Sequence, residues 1–375
     1  MKIETFDMER LQSQFENVVE CDLSESGTRA VSLQELGDWG FDFAPLMRTP
    51  LGYSQTNGTI PLREGIARMY PGATANDIMV TNGSAEAAYL VFAALVDKDG
   101  HVAIETPNFL QAKGLGAYFS GRSTEAFRLR FDANWEPDWE EFEHAVRPGC
   151  KLVYLTNPNN PTGKVLTDAA RERIVRRCEE VGAWLLSDEV YIGSEIDCPR
   201  TKTLYGTSER VIIASGLSKA FAMPGVRIGW LVGPPWLAAE AWRLHDYTTI
   251  GPGKLSDAIA TFAVREDIRE KLFERTKRIV REQLPLVHTF VKDSAGKLEL
   301  NTPDATAMVF MRWRGPGTSG EICKRLLEKR STLAVDGKLL GLDGFIRVWS
   351  GAPRDRLVEG LRRFGEELHS GARTP

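Results

Sequence analysis

Cysteine and histidine are scarce in the sequence, and neither is grouped in a way that predicts a disulfide framework or a metal site. The five cysteines are odd in number, scattered and never in CxxC spacing, which favours a reducing, cytoplasmic setting over a disulfide-stapled fold. The five histidines are equally dispersed, so we expect no metal.

An excess of one charge and a long apolar run are also missing. The net charge is −4, so overall electrostatics give no reason to expect binding to nucleic acid or to an anionic membrane. We find no internal repeat and no low-complexity tract. The first ten residues, MKIETFDMER, mix charges without an apolar core, so we expect no signal peptide.

What the sequence does contain is typical of a folded two-domain protein. Its 375 residues are 42% hydrophobic and 26% charged, which is enough to bury a core without metals or disulfides. Short apolar runs alternate with helical patterns, and this order predicts an α/β fold with a largely parallel sheet. The predicted strands of that sheet are residues 78–81, 101–105, 151–156, 183–188, 210–215 and 227–232.

The pattern changes after a long helical region at about residues 255–289. Residues 298–375 follow the order strand, strand, helix, short strand, strand and helix, which predicts a smaller α+β domain. We therefore predict three parts. They are an N-terminal segment, 1–45, packed on the small domain, a large domain, 46–285, and a small C-terminal domain, 286–375.

Polar residues follow several predicted strands, and ligands of doubly wound sheets bind beyond the carboxyl ends of strands. The strand KLVYLT runs into the rigid turn NPNNPTG, 157–163, and the strand AWLLS ends at Asp188 in DEVY. Lys219 follows another strand in small, apolar surroundings that could make its amine reactive towards carbonyls. Taken singly, these features are also those of an ordinary turn, a structural ion pair and a solvated lysine.

A strand-to-helix turn, TNGSAEAA at 81–88, offers free amide groups and a helix dipole to a phosphate, although a plain helix cap has the same pattern. Arg227 supplies a cation suited to phosphate. Together these features provide a phosphate cradle, a reactive amine and an acid at a strand end. Pyridoxal 5′-phosphate, with its phosphate, aldehyde and basic ring nitrogen, requires that combination.

The motifs NPNNPTG, SDEVY and SGLSKAFAMPGVRIGW resemble those of fold-type-I aminotransferases of class I and II, the aspartate aminotransferase superfamily. The resemblance covers nearly the whole chain. It implies a large domain with a mainly parallel sheet sandwiched by helices, plus a smaller α+β domain. It also implies pyridoxal 5′-phosphate as cofactor, an α-amino acid as substrate, and a homodimer with shared active sites.

The resemblance also implies roles for individual residues. Lys219 would form a Schiff base with the cofactor and later move a proton at the substrate α-carbon. Asp188 would keep the ring nitrogen protonated, and Tyr191 and Asn160 would bond the ring 3-oxygen. The residues that would contact the rest of the cofactor are Gly83, Ser84, Ala85, Ser218 and Arg227 at the phosphate, Phe109 on the ring face, and Tyr53 at the neighbouring subunit's phosphate.

On the substrate side, the resemblance assigns the α-carboxylate to Arg347, with Asn160 and the backbone near Gly27 alongside. The chain departs from the family pattern at Gly216, where many relatives have serine, so the phosphate contacts there are expected to be rearranged. No second arginine for a dicarboxylic substrate is evident, which argues against aspartate or glutamate as the favoured donor.

The family resemblance favours transamination but leaves other reactions open. Residues 8–27 and 245–257 resemble a branch that contains capreomycidine synthase. An enzyme of an antibiotic pathway that eliminates a β-substituent, cyclises or oxidatively decarboxylates a modified amino acid therefore stays an alternative.

Two other classes fit the sequence less well. A cofactor-sensing regulator would add a helix-turn-helix domain for which no residues are left. A dehydrogenase would need GxGxxG after its first strand, and the near match GLGAYF, 114–119, lacks the third glycine.

Overall fold

The computed structural model of the protein describes residues 3–370. Its helices are α1 Asp7–Phe15, α2 Leu33–Asp38, α3 Ile60–Ala67, α4 Ser84–Leu95, α5 Gln111–Ser120, α6 Trp139–Ala145, α7 Asp168–Val181, α8 Pro235–His245, α9 Lys254–Ala263, α10 Glu266–Lys292, α11 Ser319–Arg330 and α12 Arg354–Ser370. Its strands are β1 Cys21–Asp22, β2 Ile78–Thr81, β3 His101–Thr106, β4 Glu125–Arg130, β5 Glu136–Pro137, β6 Cys150–Thr156, β7 Trp184–Asp188, β8 Val211–Gly216, β9 Gly229–Val232, β10 Leu298–Leu300, β11 Met308–Trp313, β12 Thr332–Leu333, β13 Val335–Asp336 and β14 Phe345–Trp349.

Eight strands form the large sheet, in the order β2-β9-β8-β7-β6-β3-β4-β5. The pairings from β8 through to β4 are all parallel, whereas β9 is antiparallel to both of its neighbours and β5 is antiparallel to β4. The prediction of an α/β fold with a mainly parallel sheet is thereby confirmed.

Helices cover this sheet on both faces, because successive residues of each strand point to opposite sides. On β6, Leu152 packs in one apolar cluster with α4, α5 and α8, and its neighbour Val153 packs in another with α3, α7 and α10. On β7, Leu186 packs in the same cluster as Leu152, and Leu185 packs in the same cluster as Val153. Because both faces of these strands are buried, their sequences are unbroken apolar runs.

A second sheet, in the order β10-β11-β14-β13, is antiparallel throughout. Its apolar residues, such as Val309 and Ile346, pack against α11, α12 and the end of α10 in a separate core. Two cores of this kind match the expected large and smaller domains.

The N-terminal segment contacts both cores. Strand β1 pairs in parallel with β12, and Leu23 packs in the core of the second sheet. Leu36 of α2 instead packs in the core of the large sheet. The sequence analysis did not predict α2, although Ser32 and Glu35 form a capping box at its start. The domain boundaries at 45 and 285 stay a prediction.

Two elements differ from the prediction. The strand expected at 227–232 begins only at Gly229, because Arg227 has a left-handed backbone with φ of 55°. The helical region expected at about residues 255–289 consists of two helices, α9 and α10, because the backbone of Arg265, the N-cap of α10, is not helical. No helix between residues 3 and 370 is long and apolar enough to cross a membrane.

Candidate active site

A cavity of about 460 Å³ lies at the carboxyl ends of β6 and β7. Parallel pairing sets Thr156 opposite Asp188 at these two strand ends, and Asp188 opposite Ala214 of β8. The motifs that follow separate strands therefore meet at one edge of the sheet. The predicted site residues that line the cavity are Ser84, Ala85, Phe109, Asn160, Asp188, Tyr191, Ser218, Lys219 and Arg227.

Lys219 is the amine of this cavity and forms an ion pair there. Its Nζ lies 2.7 Å from Oε1 of Glu25, which also accepts hydrogen bonds from the backbone N–H groups of Ser26 and Gly27. Burial opposes ionisation of Glu25, but the Lys219 ammonium and these hydrogen bonds lower the pKa of Glu25 to about 2. Burial likewise opposes the charge on Lys219, and Glu25 more than offsets it, so the pKa of Lys219 is raised.

Asp188 presents a carboxyl group from the end of β7. Its Oδ1 accepts a hydrogen bond from the backbone N–H of Val190 at 3.1 Å, and its Oδ2 accepts one from the Tyr154 hydroxyl at 3.2 Å. Burial raises the pKa of Asp188 to about 6 despite these two bonds. A cation placed against this carboxyl group would stabilise its ionised form.

The loop after β6 aims one of its asparagines at the cavity. Oδ1 of Asn159 accepts hydrogen bonds from the N–H and hydroxyl of Thr162, and Nδ2 of Asn159 donates to Glu105 at 2.6 Å. Asn157 is also used within the loop, since its Oδ1 accepts from the N–H of Leu166. Because these two side chains hold the turn, Asn160 is left to line the cavity.

The turn before α4 offers unpaired amide groups. Gly83 caps the helix with φ of 96° and provides no side-chain cap, so the first N–H groups of α4 face outwards. A Cβ on Gly83 would lie 2.3 Å from Nη2 of Arg227, which itself donates to Asn82 O at 3.2 Å. The backbone amides at the N-terminus of α4 and the Arg227 guanidinium therefore form a site that suits an anion.

Gly216 is packed too tightly to carry a side chain. A Cβ there would lie 2.9 Å from Ile228 O and 3.0 Å from the Cα of Gly229. A serine at Gly216, as in many relatives, would require the backbone of β9 to shift. Packing against β9 therefore explains the glycine, and the rearrangement of the phosphate contacts stays a prediction.

Two aromatic side chains border the cavity. Tyr191 is buried, and its hydroxyl makes no hydrogen bond of good geometry within residues 3–370. Burial raises the pKa of Tyr191, against the lowering effect of the Lys219 charge. Phe109 packs edge-on against Phe6, with 4.7 Å between ring centroids.

Arg347 and Gly27 lie beside the cavity rather than among the residues that line it. Arg347 is buried in β14, and it donates to Oδ1 of Asn160 at 3.0 Å and to Ser24 O at 2.6 Å. A Cβ on Gly27 would lie 3.3 Å from Ser218 O and 3.7 Å from the Cα of Lys219. Both residues are therefore within reach of a molecule bound at Lys219.

Tyr53 is the predicted residue that the structure does not bring to this cavity. Its side chain is 84% exposed and is absent from the cavity lining of its own chain. Met47, Leu51 and Tyr247 nearby are also exposed apolar residues.

Sequence analysis missed several residues that the fold brings to the site. Glu25 is the ion-pair partner of Lys219, and Tyr154 contacts Asp188. The residues of α1 and its flanks that line the cavity are Phe6, Met8, Glu9, Gln12 and Glu16. The spacing of Glu9, Gln12 and Glu16 places them on one helix face, but nothing in the local pattern indicates where that face packs.

The donor set fits pyridoxal 5′-phosphate. A side chain on Gly83 would meet the Arg227 guanidinium. The glycine therefore leaves room for a phosphate at the start of α4. The carboxyl group of Asp188 suits a basic ring nitrogen, the Tyr191 hydroxyl suits a ring oxygen, and the Lys219 amine suits the aldehyde. Among residues 3–370, no group of three or more His, Cys, Asp or Glu side chains is placed to hold a metal ion.

Comparison with known proteins agrees with this chemistry. The chain is 30% identical to capreomycidine synthase of Streptomyces vinaceus over 307 residues, which are 82% of this chain and 78% of that protein. It is 27% identical to an aspartate aminotransferase of Pyrococcus horikoshii over 84% of this chain and 83% of that protein. Its fold matches a PLP-dependent aminotransferase of Streptococcus suis with a TM-score of 0.92 and 25% identity, and the match covers 100% of both chains.

A family model described as aminotransferase class I and II matches residues 33–364, which include both sheets and most of the cavity lining. The predicted pyridoxal-phosphate enzyme is confirmed by these findings. The chain belongs to the aminotransferase class I and II family.

Proposed function

We propose that the protein transfers the amino group of an α-amino acid to a 2-oxo acid, with Lys219 as the residue that moves the proton. The observation that carries this proposal is the meeting of the Lys219 amine, the Asp188 carboxyl group and the anion site at Arg227 in one cavity. Each of these groups suits a different part of the cofactor.

When bound, pyridoxal 5′-phosphate supplies an electron sink for negative charge that develops on the substrate α-carbon. We propose that Asp188 would hold the proton on the ring nitrogen, since it lines the cavity from the end of β7. Tyr191 and Asn160 would donate hydrogen bonds to the ring 3-oxygen, and Phe109 would contact the ring. The phosphate is held by the N–H groups of Ser84 and Ala85 with Gly83, Ser218 and Arg227.

Lys219 has two tasks in this proposal. Its amine would hold the cofactor covalently, and when free it would accept and return the proton of the substrate α-carbon. Arg347 orients the substrate by binding its carboxylate, because a buried guanidinium holds a planar anion in a fixed direction. The backbone at Gly27 lies on the same side, next to Lys219.

Replacing Arg347 with lysine is expected to lower kcat/KM for amino acids about 100-fold, because an ammonium lacks the two-pronged geometry of a guanidinium. The measurement is steady-state kinetics, with the melting temperature as a check on folding. Arg312→Lys is the control, since Arg312 lies on the neighbouring strand β11 and binds Asp132 and Glu299 outside the cavity. Equal kcat/KM values for the two variants would contradict the role of Arg347.

Product analysis tests the proposed reaction. The enzyme is incubated with ¹⁵N-amino acids and pyruvate, and we expect labelled alanine and a new 2-oxo acid in equal amounts. Release of ammonia, carbon dioxide or a cyclised product without consumption of pyruvate would contradict transamination.

That second outcome would favour the alternative, a cyclase, β-elimination lyase or decarboxylating enzyme of an antibiotic pathway. The observation in its favour is the 30% identity to capreomycidine synthase over 82% of this chain.

We propose further that the active enzyme is a cytoplasmic homodimer. Met47, Leu51, Tyr53 and Tyr247 are exposed apolar residues, and we propose that a second copy covers the surface that carries them. Their two segments are joined by hydrogen bonds from Lys254 to Pro50 O and from Trp242 to Thr56. This surface adjoins the phosphate end of the cavity, since Nδ2 of Asn82 donates to Thr249 at 2.6 Å. Tyr53 would then reach the neighbouring subunit's phosphate. Sedimentation should give about twice 41.8 kDa, and a monomer at assay concentration with full activity would contradict shared sites.

A further inference from the structure

One side of the active-site cavity carries three carboxylates. Glu9 and Glu16 come from α1 and its C-terminal end, and Glu25 comes from the loop before Gly27. We call Glu9, Glu16 and Glu25 the acidic wall. Gln12 lies on the same face of α1 and is anchored by its amide NH₂ to Ser24, so its carbonyl oxygen is left as a further acceptor.

The acidic wall has little compensating positive charge. Within residues 3–370, Glu9 forms no ion pair, and the only partner of the Glu16 carboxylate is Nδ2 of Asn17 at 3.5 Å. Burial and the negative charges of Asp22, Glu25 and Glu9 raise the pKa of Glu16. Lys219 is the cation that Glu25 contacts, at 2.7 Å. The carboxylates therefore repel one another across the cavity.

The proposed function commits each nearby cation to another partner. Lys219 binds the cofactor, Arg227 binds its phosphate, and Arg347 binds the substrate carboxylate. Arg347 is close enough to interact with Glu25 and Glu9 through space, but once it binds the substrate carboxylate, no cation of residues 3–370 is left in direct contact with the acidic wall. Independently of this wall, the meeting of Lys219, Asp188 and Arg227 in the same cavity shows that it is built to receive a ligand.

We propose that the substrate is an α-amino acid with a cationic side chain, a guanidinium or an ammonium group, which sits against the acidic wall. This inference rests on the proposed function for the placement of the α-carboxylate and the amine. The wall offers acceptors only, from Glu9, Glu16 and Glu25 and from the Gln12 carbonyl oxygen, and a guanidinium offers donors only. A dicarboxylic amino acid would instead bring a fourth carboxylate to the three already there.

Binding without chemistry gives the first test. The probe is 5-guanidinopentanoate, which is arginine without its α-amine, and its neutral counterpart is 5-ureidopentanoate. Calorimetric titration of the holoenzyme should show at least about tenfold tighter binding of the guanidinium compound. The reason is that the neutral urea group of 5-ureidopentanoate cannot form a charged hydrogen bond with the acidic wall. Equal affinities, or tighter binding of glutarate, would overturn the inference.

Variants of the acidic wall give the second test. Glu16→Gln should lower the preference for arginine over citrulline in kcat/KM about tenfold, and Glu9→Gln should lower it in the same direction. Asp7→Asn is the matched control, because Asp7 lies on the same helix outside the cavity. An unchanged preference in both glutamine variants would contradict the inference, as would an equal loss in Asp7→Asn.

The two proposals fail in different ways. If alanine and citrulline donate their amine as well as arginine does, the substrate class is wrong and the aminotransferase proposal stands. If the guanidinium compound binds tightly but no amino acid donates its amine to pyruvate, the substrate class is supported and transamination is wrong.

Discussion

Replacing Lys219 with alanine is expected to lower turnover of every amino-acid substrate by at least about 10⁴-fold, because the same amine binds the cofactor and moves the proton. The variant should also retain no covalently attached cofactor. The measurements are steady-state turnover and the mass of the intact protein after borohydride reduction, which fixes the cofactor to its lysine.

Lys202→Ala is the matched control for this experiment, because Lys202 is exposed and absent from the cavity. It should keep the covalent cofactor and wild-type turnover. A Lys219→Ala protein that still gains the mass of the reduced cofactor would show that another amine holds it, and the assignment of Lys219 would be wrong.

Replacing Asp188 with asparagine is expected to lower turnover about 10²- to 10⁴-fold, because a neutral amide cannot keep the ring nitrogen protonated. Burial raises the pKa of Asp188 to about 6, against the lowering effects of its hydrogen bonds to Val190 and Tyr154 and of the Lys219 charge. A cationic ring nitrogen in contact with the carboxyl group would lower that pKa again, so the wild-type pair stays ionised at neutral pH. In the variant the electron sink is weakened while Lys219 remains in place.

Covalent attachment of the cofactor separates this effect from misfolding. Asp188→Asn should still bind the cofactor through Lys219, with a shifted absorption spectrum and a slow release of the α-proton in exchange experiments. Asp293→Asn, at the exposed end of α10, is the control and should behave as wild type. Wild-type proton exchange in Asp188→Asn would rule out a role for Asp188 at the ring nitrogen.

The large sheet and the core of the site could be predicted because they follow local rules. Strands buried on both faces are unbroken apolar runs, and parallel strands bring their carboxyl ends to one edge. That logic brings Asp188, Asn160 and Lys219 together without knowledge of the pairing register. The turn before α4 indicated a phosphate site only together with the other motifs, because a plain helix cap has the same pattern.

The remainder of the site depends on how distant segments pack. Glu25 lies 194 positions from Lys219, and no local pattern predicts that the two side chains meet. The face of α1 with Glu9, Gln12 and Glu16 could equally have faced solvent, as polar helix faces usually do. The packing of α1 also involves residues distant in sequence, since Met8 belongs to the same apolar cluster as Phe310 and Phe345 of the second sheet.

The absorption spectrum of the purified holoenzyme, recorded as an amino acid is added without any 2-oxo acid, tests the central claim most directly. We expect the yellow bound cofactor to become colourless after one equivalent of product, and to recover its colour when a 2-oxo acid is added. Product that continues to form without an acceptor would contradict transamination, and a protein that binds no pyridoxal phosphate would contradict the whole account of the site.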